Sequence, residues 1–253
     1  AEELGVKFHL NAKVVRIVHQ NGSATGIEVQ GQFHPSNLVV SNADIHPTYH
    51  HLLKDLKLPV KQLEQERSSS ALIFYWGIDA AFEQLHLHNI MFSKSYKEEF
   101  EALFKHKTLI DDPTVYINIT SKCKQDDAPI GSENWFVMVN APSREGGLSL
   151  EEINSARDNI IKKIETVLKT DLASKIFCEE ILTPSLIQSK TSSYLGALYG
   201  TSSNDPMSAF LRHPNFSKNL KNLYFTGGSV HPGGGIPLCL LSAKIIDEML
   251  DHA

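Results

Sequence analysis

"LYFTGGSVHPGGGIPLCLLSAKI", residues 223–245, runs a short apolar strand into five glycines and two prolines before a helical pattern begins. Glycine loses much conformational entropy on folding, so a loop that keeps this many lets the backbone turn sharply or approach a ligand closely. A strand feeding Gly227 and Gly228, with a helix starting near Ile236, presents free backbone N–H groups and a positive dipole end to whatever lies over the loop. That setting suits an anion or an electron-rich ring; a plain tight turn reads equally well from the same residues. The run contains neither G-x-G-x-x-G nor a Walker A lysine, and neither motif occurs elsewhere in the chain.

Upstream, residues 6–40 read as β structure: "VKFHL", "KVVRIVHQ", a hairpin turn at Asn21 and Gly22, "ATGIEVQ", a turn at Gly31, and the buried strand "NLVV". Asp44 is placed to cap a helix through Leu53 with Pro47 in its first turn. Each end of the chain thus has an apolar strand entering a turn and then a helix, as one nucleotide-binding sheet split in sequence would. Between them, "ALIFYWGI", "TVYINIT" and "NWFVMVN" read as strands and "KSYKEEFEALFKH" as an amphipathic helix. "SLEEINSARDNIIKKIETVL" opens on a capping box, Ser149 and Glu152, and spaces Ile153, Ala156, Ile160, Ile164 and Val167 helically. The expected fold class is mixed α/β: a Rossmann-like domain from residues 1–57 and 205–253, interrupted by a domain over 58–204 with a mixed or antiparallel sheet and helices.

Composition narrows the function. With 42% hydrophobic and 21% charged residues, the 253-residue chain can bury a sizeable core, and a net charge of -5 without a basic stripe excludes a nucleic-acid partner. Cys123, Cys178 and Cys239 are odd in number and far apart, which favours reduced thiols in a reducing, cytoplasmic compartment. No apolar run nears the roughly 20 residues that span a bilayer. "AEELG" reads as a helix end, so the sequence is expected to be an excerpt of a longer protein. His46 and His50 stand one helical turn apart but lack a fitting third ligand, and no metal is expected. His86 and His88 read as surface residues on one strand face. His231, inside the glycine loop, could donate to a ligand or cap the turn. Ser229 lacks a G-x-S-x-G setting, which argues against a serine nucleophile.

The run at 223–245 closely resembles the C-terminal signature of the carotenoid desaturases, the phytoene-dehydrogenase-type flavoproteins. "NAKVVRI", "TGIEV" and "LVVSNAD" resemble the middle of the same family, and "TPSLIQSKTSSYLGALYG" the return towards its FAD domain. The resemblance implies FAD as cofactor. It assigns to cofactor binding Val14 at the adenine, Asn42 in "VVSNAD" with the turn that follows, Gly227 and Gly228 along the pyrophosphate and ribityl chain, Ile236 and Pro237 towards the ring, and also His231 and Gly235 in the loop. It implies desaturation of a long apolar polyene by hydride transfer to flavin N5, with oxygen or a quinone as acceptor and contact at the membrane periphery, and it names no general base. A polyene or retinoid isomerase or saturase of the same superfamily, or a noncatalytic apolar-ligand module, are the rival readings.

The family's N-terminal strand, G-x-G-x-x-G loop and acidic ribose ligand have no counterpart here, and those parts bind the ADP half of FAD. The stretch by itself is therefore expected to be inactive and to retain little or no flavin. Desalting the isolated polypeptide after incubation with FAD should leave no flavin absorbance; a persistent flavin spectrum would overturn this.

Overall fold

In the computed structural model, which describes residues 1–204, 207 and 211–251, Val14–Gln20 (β1), Ser23–Val29 (β2) and Gln32–Pro35 (β3) form an antiparallel meander. Asn21 and Gly22 make the expected hairpin turn at φ of 51° and 75°. "VKFHL" is not a strand: residues 6–10 are exposed and outside every ladder, and an apolar run without a neighbour to pair its backbone has nothing to hold it extended. β4 (Val39–Ser41) follows, then Asp44, whose carboxylate accepts from His46 N at 2.9 Å and caps α1 (Ile45–Pro47). The expected helix to Leu53 is thus present, but it continues from Pro47 as a π-helical turn over Thr48–Leu52. α2 (Val60–Leu63) sends Leu63 into the core formed by Ile17, Ile45, Tyr49, Leu53, Leu223 and Phe225.

The chain divides into two compact units, residues 1–66 with 199–253, and residues 67–198. The breaks drawn from sequence stood at 57/58 and 204/205, and residue 205 lies outside the described residues. Leu58 and Leu63 pack in the core of the first unit.

The second unit is built on five antiparallel strands in the order β6-β7-β8-β5-β9: β5 (Ser70–Ile78), β6 (His88–Met91), β7 (Val115–Asn118), β8 (Glu133–Ala141) and β9 (Ile176–Leu182). α3 (Tyr96–Glu101) ends in a π-helical turn over Ala102–His106. α4 (Leu150–Leu168) lays Ile153, Ala156, Ile160 and Ile164 against Leu72, Phe74, Trp76, Val137 and Val139. Val167 is 57% exposed, and Leu168, four residues after Ile164, takes the last inward position instead. Each fully buried isoleucine of α4 contributes about 1.5–3 kcal/mol. The buried Glu133 carboxylate is satisfied by Lys122 Nζ at 2.5 Å, Phe82 N at 2.9 Å and Trp135 Nε1 at 2.7 Å.

Residue pairing sets two rows on the opposite face of this sheet. One runs His88, Asn118, Phe136, Tyr75, Glu180; the next runs Ile90, Tyr116, Met138, Ile73, Leu182. α5 (Pro184–Thr191), capped by Thr183, covers part of the second row through Ile187. The last elements return to the first unit: β10 (Leu223–Phe225) pairs in parallel with β4, and α6 (Ile236–Asp251) follows the glycine loop. The architecture is mixed α/β, as expected from the sequence.

The capping box closes as read: Ser149 Oγ accepts from Glu152 N at 3.2 Å, and Glu152 Oε2 accepts from Ser149 N at 2.8 Å. Ser149→Ala should cost about 0.5–2 kcal/mol in urea unfolding. An unchanged midpoint would show that the cap carries no stability.

Candidate functional site

Parallel pairing of β4 and β10, with Val39 opposite Leu223 and Ser41 opposite Phe225, makes both strands end on the same edge. In open α/β sheets the loops leaving that carboxyl edge are where ligands bind. Here those loops are tied together: Thr226 N donates to Ser41 O at 2.9 Å, Asn42 Nδ2 to Thr226 O at 3.3 Å, and Ile45 N to Ser229 Oγ at 3.0 Å. Gly227 has φ of 104°, and a Cβ there would lie 2.8 Å from Asn42 Nδ2, so only glycine allows this crossing.

Asn215 holds the loop from below. Its Nδ2 stands 3.1 Å from Phe225 O, 2.8 Å from His231 O and 2.8 Å from Ser242 Oγ, tying β10, the glycine loop and α6 together. Ser242, wholly buried inside α6, also accepts from Gly227 N at 3.2 Å. Beside this knot the Tyr49 hydroxyl and His213 Nε2 are 3.0 Å apart, while His213 Nδ1 meets Pro214 O at 2.8 Å. The carbonyl can only accept, so Nδ1 carries the proton and Nε2 accepts from the phenol. Burial pulls the His213 imidazole below its ordinary value, opposed by the Pro214 carbonyl; burial pushes the Tyr49 phenol up to about 12.

Arg212 went unsingled in the sequence. It is 7% exposed, and its Nη2 donates to Thr201 O at 3.0 Å and Ser203 Oγ at 2.9 Å, its Nη1 to Gly228 O at 3.4 Å. Nε has no acceptor, and no carboxylate pairs with the guanidinium among the described residues. Burial draws its pKa down.

Of the residues singled out by sequence, Asn42, Gly227 and Gly228 meet at this edge, with His231 exposed farther along the loop. His231 N donates to His213 O at 2.9 Å, and its peptide bond to Pro232 is cis. Gly235 has φ of 100° and leads into α6, whose first residues, Ile236 and Pro237, are exposed. Val14 stands in the separate β1–β3 sheet. The His46 and His50 rings stack at 4.2 Å, and among the described residues no group of three or more His, Cys, Asp or Glu could hold a metal ion. No described helix is long and apolar enough to cross a membrane. The glycine cradle, the α6 N-terminus and the orphaned Arg212 Nε are a donor set that fits an anionic cofactor segment.

No protein-family model matches the chain. It is 54% identical over 252 residues to a 1-hydroxycarotenoid 3,4-desaturase of Flavobacterium sp., covering 100% of this chain and 52% of that protein. It is 35% identical over 254 residues to a 4,4'-diapolycopene oxygenase of Methylomonas sp, covering 99% and 51%. The chain spans about half the length of the curated relatives it matches. Its fold is shared by an oxidoreductase from Methanosarcina mazei (TM-score 0.61, 14% identity, 98% of this chain and 51% of that one). It is shared also by a cyclohexylamine oxidase from Brevibacterium oxydans (TM-score 0.54, 12% identity, 96% and 49%). The resemblance to carotenoid desaturases read in the C-terminal run is borne out over the whole chain.

Because His213 is neutral in the fold and free to protonate when unfolded, the unfolded chain binds more protons below about pH 6.5. Stability should be full above that pH and fall as the pH drops towards 5. His213→Gln should flatten this slope in urea titrations at pH 7, 6 and 5; an unaltered slope would assign the pH dependence elsewhere.

Proposed function

We propose that this chain serves a flavin-dependent, carotenoid-modifying oxidoreductase that desaturates a hydroxycarotenoid-type polyene. The observation that carries this reading is the 54% identity, over the whole chain, to a protein named for 3,4-desaturation of 1-hydroxycarotenoids. The first unit, residues 1–66 with 199–253, is assigned to the dinucleotide, and residues 67–198 to the substrate.

A bound FAD would supply the hydride acceptor. The chain's own part at that end is to hold and orient: Asn42 fixes the Thr226 carbonyl, Gly227 and Gly228 let backbone pass beside the cofactor, and α6 points its N-terminus over the loop from Ile236 and Pro237. Val14, at the adenine, and His231 and Gly235, in the glycine loop, are kept as cofactor-binding residues in this proposal. In the second unit the sheet face bearing Tyr75, Phe136, Tyr116, Met138 and Ile90 offers an aromatic and aliphatic wall for a long apolar chain. Tyr75 and Phe136 meet edge to face at 5.5 Å, as do Tyr116 and Phe136 at 6.2 Å. A polyene has no hydrogen-bonding groups along its length, so such a wall would orient it by packing. Oxygen or a quinone would be the final electron acceptor, and the insolubility of the substrate favours contact with a membrane surface.

The name of the 35% identical relative supports a second reading, oxygenation of a polyene end. The full-length natural protein carrying this sequence, supplied with FAD and a 1-hydroxycarotenoid, should give a product lighter by two hydrogens. A product that has gained oxygen favours the second reading, and unaltered substrate under both oxygen and quinone would overturn the proposal.

A further inference from the structure

We propose that Arg212 is the fixed cation of an anion-binding site at the 227–235 glycine loop, and that its anion belongs to the flavin dinucleotide. The inference rests on the flavin reading above. Burying a charge costs several kcal/mol unless another charge compensates it. Arg212 is 7% exposed, yet its acceptors among the described residues are all neutral: the Thr201 and Gly228 carbonyls and the Ser203 hydroxyl. Its Nε–H has no acceptor among the described residues. If the guanidinium served only to tie carbonyls, its charge would be an unrelieved cost.

Its surroundings supply the reason to keep it. Gly233, at φ of 137°, lies so close to the guanidinium that an added Cβ would sit 3.0 Å from its Cζ and 3.3 Å from its Nε. Glycine at 233 therefore lets the loop backbone rest on the charged plane. Three residues farther, the 16-residue helix α6 begins, and its dipole adds a field of the same sign. A cation and a helix N-terminus, both directed at one glycine loop, form an anion site that the described residues leave uncompensated. In a flavin dinucleotide two groups answer that chemistry: the phosphates, charged in both redox states, and the N1–C2 oxygen edge of the ring, which gathers charge on reduction.

The two are separable in the full-length natural protein, prepared flavin-free as wild type, Arg212→Gln and Arg212→Lys. FAD affinity is read by fluorescence titration and the midpoint potential by equilibration with a reference dye. If the phosphates are the partner, Arg212→Gln weakens FAD by about tenfold or more in both redox states and the potential stays. If the ring edge is the partner, oxidised FAD binds as before, and a tenfold loss for the reduced form lowers the potential by about 30 mV. Lysine has no counterpart of Nε, so Arg212→Lys should still lose about threefold, and it decides the matter if the glutamine variant does not fold. Wild-type affinity and potential in a folded variant, even with a lowered melting temperature, would reduce Arg212 to a tie between carbonyls and overturn the proposal. Wild-type protein that takes up no FAD would overturn the flavin reading itself and this inference with it.

Discussion

The carboxamide of Asn215 joins three pieces of chain: the end of β10 through Phe225, the far side of the glycine loop through His231, and the interior of α6 through Ser242. A buried amide with its hydrogens unanswered would cost about 1–3 kcal/mol, so the three acceptors and the donor hold one another in place. Everything proposed at the loop follows from this. With Ser242 also taking the Gly227 N–H, the loop is anchored at Gly227 and, through the His231 carbonyl and N–H, at its middle. The parallel pairing of β4 with β10 then brings Asn42 against the anchored end.

The two units solve different physical problems. In the first, polar side chains with few rotamers (Asn42, Ser229, Asn215, Ser242) fix backbone groups by hydrogen bonds, which gives position with little bulk. In the second, two tryptophans, Trp76 and Trp135, and the aliphatic stripe of α4 make a dense core under one sheet face and leave the other face to aromatic rings. Even there the polar tips are answered: Trp76 Nε1 donates to Glu179 at 2.5 Å and Trp135 Nε1 to Glu133 at 2.7 Å. Such pairing fixes the indoles, and with them the strand register that sets the rows of the open face.

Where sequence and structure agree, the information is local. The Ser149 and Glu152 box, the Asn21–Gly22 hairpin and the Asp44 cap each depend on a few consecutive residues and on backbone rules that hold anywhere. The long inward alternation of β8 is likewise visible in the chain. What escaped is non-local or atypical. β9 is an edge strand whose middle, Cys178 to Glu180, is exposed, so it lacks the alternation that marks a half-buried strand. α5 has a proper start at Thr183 and Pro184 but a largely polar body. "VKFHL" had the composition of a strand without a neighbour. Arg212 and Asn215 lie in "LRHPN", which carries no motif; their partners are carbonyls and hydroxyls from segments distant in sequence, and a carbonyl leaves no trace in residue type.

Ser242 sits six residues beyond Ile236, about 9 Å along the helix at 1.5 Å per residue, and yet it bonds the N–H of Gly227, before the loop begins its excursion. The loop must therefore climb to the head of the helix and no farther. Its length is thus as constrained as its composition. One residue inserted between Ile236 and Ser242 would rotate the serine by about 100° away from Gly227 and Asn215 together, whereas ordinary surface loops absorb insertions cheaply. The helix acts as a gauge rod for the segment that precedes it.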